Sequence, residues 1–157
     1  MTKISSVCLN VGPNAWTYGV DGQTITAMTT FEMDTDANLV ATAKTEKCND
    51  VNSLRSIKLT GGYTDTNGIV WATDPQSVTD LNITVGLIAA GAISGNLTWR
   101  DDTNINHTLT SQEIVQLAGG MTLTGKQIYA ASWSHKANVD VLTSVSSISS
   151  YDITTGW

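Results

Sequence analysis

The chain has 157 residues, enough for one domain of ordinary size with at most a small appendage. Only 14% of the residues are charged and the net charge is −6, so there is no basic footprint for a nucleic acid. Threonine, serine and asparagine, at 24, 14 and 11 positions, must cover much of the surface, while 41% hydrophobic residues are enough for a real core and exclude wholesale disorder.

The amino terminus, MTKISSVCLNVG, lacks the apolar run of an export signal, and no 18-residue apolar window follows. A soluble chain made in the cytoplasm, with no membrane partner, is the expectation. In that compartment Cys8 and Cys48 are expected to stay reduced and unbridged.

Residues 1–35 read as a small β-rich head. KISSVCLNV, WTYGV and the Thr-rich run QTITAMTTFEM are strand-like, and Asp21-Gly22 is a turn signal between the last two. From Asp36, a good N-cap, residues Val40, Ala43, Val51, Leu54 and Ile57 recur at helical spacing until Gly61-Gly62 stops the run.

YTDTNGIVWATD predicts a hairpin with Asn67-Gly68 in a type I′ turn and Trp71 on the return strand. Asp74-Pro75 then starts a helix, with Asp as cap and Pro at the first position, where no amide donor is needed. Its inner face is Val78, Leu81, Val85, Ile88 and Ala92. NLTWR, the turn DDTN and INHTL make a second hairpin.

Thr110 and Glu113 have the spacing of a capping box, with Leu109 and Ile114 placed as a hydrophobic staple. The helix that follows carries a stripe from Ile114 through Leu117 and Met121 to Leu142, and Gly119, Gly120 and Gly125 predict a kink or break in it. Thr143 is the expected cap of a last short helix with Val145 and Ile148 inward. No internal repeat is evident. The whole reads as α+β: a β-rich segment over 1–35, then helices packed with two β-hairpins over 36–157.

The inventory for chemistry is thin, with two histidines and three glutamates. His135 falls on the apolar stripe and reads as a packed histidine, whereas His107, beside the Asp101-Asp102 turn, is the better functional candidate. Asp101-Asp102-Thr103-Asn104 has the residue types of a cation loop but lacks the Gly and terminal Glu of an EF-hand, so it reads as a turn. The sequons at Asn82, Asn96 and Asn106 are what chance predicts in a chain this rich in Asn, Ser and Thr. Neither an enzyme activity, a cofactor nor a metal is expected. Five tryptophans, at 16, 71, 99, 133 and 157, are the strongest hint of recognition, although Trp71 and Trp99 read as core.

Several pieces recur in a known order: Gly61-Gly62-Tyr63, Gly68 and Trp71, Thr73-Asp74 with Ser77, Trp99-Arg100, Leu109-Thr110 with Glu113, then Lys136-Ala137 with Val139-Asp140. From about Arg55 onward the chain resembles the uncharacterised domain at the C-terminal end of many bacteriophage tail and tail-fibre proteins. The resemblance implies a virion setting and no chemistry.

The expected function is that of a structural virion protein of a tailed bacteriophage, in the tail tip, baseplate or tail fibre, acting as a protein–protein interaction module and located in the phage tail after synthesis in the host cytoplasm. Its expected partners are other tail or fibre proteins and further copies of itself in a symmetric homo-oligomer. A fibre-assembly chaperone absent from the mature particle is the alternative. A glycan-binding or glycan-cleaving tail protein that meets host surface glycan ranks below both. Apolar area on the long helix that a small domain leaves over must find a partner, and Ile128, Ala131, His135, Val139, Leu142 and Trp157 are the interface candidates.

Overall fold

The structure is a computed structural model that describes residues 18–20, 23–25 and 36–157. The chain divides into two units, residues 1–35 and 36–157. In the first, β1 (Tyr18–Val20) pairs antiparallel with β2 (Gln23–Ile25), Val20 opposite Gln23. The strand expected over residues 3–11, Cys8, Trp16 and the remainder of the Thr-rich run lie outside the described residues.

The second unit is built from α1 (Asp36–Thr60), β3 (Tyr63–Thr64), β4 (Val70–Trp71), α2 (Pro75–Ala89), β5 (Asn96–Arg100), β6 (Asn106–Thr110), α3 (Ser111–Asp140) and α4 (Val145–Ser150). β3 pairs antiparallel with β4 and β5 with β6, so the α+β class holds, with two hairpins packed on helices.

Both hairpins close with the same device. In the first, the Asp65 amide donates to the Ile69 carbonyl and the Gly68 amide to the Asp65 carbonyl, while Asp65 Oδ1 accepts from the amides of Asn67 and Ile69. In the second, Asp101 bonds to Ile105 and Asn104 in the same way, and Asp101 Oδ1 accepts from the amides of Thr103 and Ile105. This is a three-residue loop with a bulge, in which one residue takes positive φ: Gly68 at 81° and Asn104 at 66°. The type I′ turn expected at Asn67-Gly68 is therefore corrected. Asn67 keeps negative φ, because the Asp65 carboxylate gathers the loop amides and leaves the left-handed position to glycine alone.

The likeness extends past the turns. Trp71 Nε1 donates to Asp65 Oδ2 at 3.0 Å, and His107 Nε2 meets Asp101 Oδ2 at 2.8 Å. Three residues further on, Asp74 caps α2 and Thr110 caps α3. Asp65 and Asp101, Trp71 and His107, Asp74 and Thr110, and the buried Leu81 and Leu117 each stand 36 residues apart. The chain thus contains a hairpin–helix repeat, contrary to the reading that found none. The two copies meet: the Trp71 and His107 rings pack edge to face at 5.2 Å, and the Asp102 amide donates to the Val70 carbonyl.

Two of the expected caps form, those of α2 and α3. Asp74 accepts from the amides of Gln76 and Ser77 ahead of Pro75, and Thr110 and Glu113 close a reciprocal capping box. α2 ends earlier than its pattern suggests. Gly91 takes φ 71°, the Ala92 amide reaches back to the Leu87 carbonyl and the Gly91 amide to that of Ile88, which leaves Ala92 exposed beyond the helix. The cap of α4 is Ser144 rather than Thr143. Its hydroxyl accepts from the Ser147 amide, and Val145 is turned outward while Ile148 is buried.

α3 runs unbroken through Gly119, Gly120 and Gly125, so the expected break is absent. Gly120 and Gly125 admit neighbours instead. A Cβ on Gly120 would stand 2.2 Å from the Tyr63 hydroxyl oxygen, and one on Gly125 would touch Leu59. α1 lies antiparallel along α3, with Arg55 over Tyr129 and Lys44 hydrogen-bonded to the Asp140 carbonyl. Lys47 likewise donates to the carbonyls of Ser149 and Tyr151, so α1 supplies the cations that the C-terminal ends of α3 and α4 lack. Ile57, expected on the inner stripe of α1, is 65% exposed, and Val51 is that helix's fully buried residue.

Two buried clusters result. Trp71, Leu81, Ile114, Leu117 and Ala118 fill the space between the hairpins, α2 and the first half of α3. Val51, Val139 and Ile148, with Ser132 and His135, are buried at the other end, among α1, α4 and the second half of α3. No described helix is long and apolar enough to cross a membrane.

Candidate interaction surface

α3 has two apolar faces, and they point in opposite directions. The inner face carries Ile114, Leu117, His135 and Val139, all buried. Among the residues expected to meet a partner, Val139 is fully buried and His135 nearly so, while Ile128, Ala131, Leu142 and Trp157 are half-buried. His135 packs against Trp157 in the chain's own tail, Leu142 borders α1, and Ile128 lines a cleft beside α1 and α2.

His135 organises the tail. Its Nε2 lies 3.0 Å from the Thr155 carbonyl, which can only accept, so Nε2 carries the proton. Nδ1 lies 2.9 Å from the Tyr151 hydroxyl, and that hydroxyl accepts from Asn138 Nδ2. Trp157 folds back over the imidazole, 5.1 Å between ring centroids, with Lys58 Nζ 5.6 Å from the indole ring. Its Nε1 donates to the Ile153 carbonyl.

His107, the histidine favoured for chemistry, serves the hairpins. It is held by Asp101 and set edge to face against Trp71, and the hydrogen bond from His107, with those from Ile105 and Thr103, lowers the Asp101 pKa to about 2 against the opposing effect of burial. Asp65 is also held below the usual carboxylate range: burial pushes the other way, and the Trp71 indole and the loop amides prevail. Hydrogen bonds from Ser77, Thr110 and Thr154 do the same for Asp74, Glu113 and Asp152 respectively. These carboxylates are each engaged in a turn or cap. Among the described residues no group of His, Cys, Asp and Glu is arranged to hold a metal ion, and Cys48 is a free, half-buried thiol on α1.

A cleft of about 500 Å³ opens between α1, α2 and α3, where the glycines leave room. Leu59, Tyr63, Val78, Met121 and Ile128 line it, with Ser56, Lys58, Asn82 and threonine hydroxyls among its polar groups. Its size is that of a small-ligand pocket.

The outer face of α3 is the feature that sequence reasoning missed. Residues 115, 119, 123, 126, 130, 133, 137 and 141 follow one another at steps of three and four along the side opposite the core. Val115 is 43%, Leu123 59%, Trp133 63% and Val141 75% exposed, and Gly119, Ala130 and Ala137 between them are exposed too. The solvent face of a helix is normally charged or polar, yet Lys126 is this ridge's single charge. Tyr129 flanks Trp133 at 6.2 Å between rings, under the Arg55 guanidinium.

The sequence profile of a family described as Domain of unknown function (DUF4376) matches residues 42–155. The chain belongs to that family. The match starts well before Arg55, so most of α1 is part of the DUF4376 body, in keeping with its packing along the whole second half of α3. No curated protein and no solved structure matches the chain.

Proposed function

We propose that this DUF4376 chain is a structural virion protein of a tailed bacteriophage, a component of the tail tip, baseplate or tail fibre that works as a protein–protein interaction module. The observation that carries the interaction reading is the outer ridge of α3: an apolar strip with one charge is stable in an assembly and a liability on a free monomer. The ordered pieces from Gly61 to Asp140, which resemble the C-terminal domain of tail and tail-fibre proteins, carry the virion setting. The carboxylates engaged in turns and caps support a binding role over a catalytic one.

The test is a mass-spectrometric inventory of purified phage particles from cells that express the gene. The proposal expects peptides of this chain in intact particles at a fixed ratio to other tail proteins. Peptides confined to assembly intermediates would replace it with the assembly-chaperone reading.

A further inference from the structure

The outer ridge of α3 is complementary to itself. Apart from Lys126, small and large residues alternate from Gly119 onward: Gly119, Leu123, Ala130, Trp133, Ala137, Val141. If a second copy of the helix is laid against the first, antiparallel about a twofold axis at Ala130, Leu123 falls opposite the partner's Ala137 and Val141 opposite the partner's Gly119. Leu123 and Val141 thus each meet a small residue, and the two Ala130 residues allow close approach at the centre. The ridge's one charge is also accounted for. Lys126 and Trp133 lie on the same flank of the helix, so the same twofold brings each Lys126 ammonium to the partner's Trp133 ring, a cation–π contact made twice. A parallel, in-register pair would set Lys126 against Lys126 and Trp133 against Trp133, with holes at every glycine and alanine.

We infer that the outer face of α3 binds a second copy of this chain as an antiparallel twofold pair centred on Ala130. The inference rests on the interaction reading above and names the occupant of that face. The strip from Val115 to Val141 is about 39 Å long and about 10 Å wide at the standard rise and diameter of a helix. It broadens at one end into a shallow groove bordered by Asn82 and Val85 of α2. A footprint of about 400 Å² per copy, about 800 Å² in all before that groove is added, lies below the size of stable interfaces and in the range of transient ones, so the dimer is reversible rather than obligate.

The test uses the full chain. Sedimentation equilibrium across a hundredfold concentration range is expected to show a monomer–dimer equilibrium, and Trp133→Glu to weaken it at least tenfold. Trp133 is exposed, so the variant is expected to fold, and circular dichroism checks this. Orientation is read by cross-linking: with Cys8 and Cys48 replaced by alanine, a mixture of Leu123→Cys and Ala137→Cys chains is expected to form a mixed disulfide faster than either chain alone. A chain that is monomeric at every concentration, or a dimer indifferent to Trp133→Glu, overturns the inference. So does hydroxyl-radical footprinting that finds Trp133 shielded in a monomer. A dimer in solution with no chain in particles would remove the virion reading and leave the dimer standing; the converse result would do the opposite.

Discussion

Trp71 and His107 pack edge to face with 5.2 Å between ring centroids, each fixed by an aspartate six residues before it in the chain. The two hairpin–helix repeats are joined there, and the residue most open to a catalytic reading turns out to be the second half of a structural pair.

That pairing makes stability depend on acid. Asp101 has a pKa of about 2 because His107 and the loop amides bind its carboxylate, against an ordinary value of about 3.9. A lowered carboxyl contributes its full stabilisation above its unfolded-state pKa and loses it as the pH falls through the folded one, so the contribution is present above about pH 4 and gone near pH 2. Asp101→Asn is expected to lower the melting temperature near neutral pH and to narrow its gap to the native chain as the pH falls from 4 to 2. Thermal melts at half-unit intervals check this, and a gap that stays constant over that range contradicts it.

Gly119 and Gly120 are adjacent and are expected to respond with opposite signs. A methyl group on Gly120 would meet the Tyr63 hydroxyl at 2.2 Å, and overpacking of that kind costs about 1–3 kcal/mol. The methyl on Gly119 meets nothing within 4 Å, so Gly119→Ala collects the helix-propensity gain of up to about 1 kcal/mol. Denaturant melts at low protein concentration are expected to show destabilisation for Gly120→Ala, relieved by Tyr63→Ala, and stabilisation for Gly119→Ala.

Thr110→Ala removes the hydroxyl that accepts the Glu113 amide at the start of α3 and is expected to cost about 1 kcal/mol. A loss below about 0.2 kcal/mol in urea melts would mean that the cap contributes nothing.

What the sequence made legible was local. Asp74-Pro75 and Thr110 with Glu113 are caps because a side chain meets an amide two or three residues away, and no distant contact overrides that. The turn at Asn67-Gly68 was legible as a turn but not as its type, since the choice lay with the Asp65 carboxylate two residues before Asn67. Gly120 read as a helix breaker because the Tyr63 side chain that occupies its space comes from 57 positions away. The repeat stayed hidden because the positions keep their roles while changing residue type, Gly68 to Asn104, Trp71 to His107 and Asp74 to Thr110. Most consequential for the site, helical spacing shows that α3 has an apolar stripe but not which of two stripes faces the core. The one through His135 and Val139 is inside, and the one through Leu123 and Trp133 is outside.

The central claim is that α3 holds the fold with one face and leaves the other for a partner, and it is tested most directly by comparing Val139→Asp with Trp133→Glu in the same denaturant titration. Val139 is fully buried, and an unpaired charge there is expected to cost more than about 3 kcal/mol or to abolish folding. Trp133 is 63% exposed, and its replacement is expected to shift the folding free energy by less than about 1 kcal/mol. A folded, stable Val139→Asp chain, or a Trp133→Glu chain that unfolds, would contradict this assignment of the two faces.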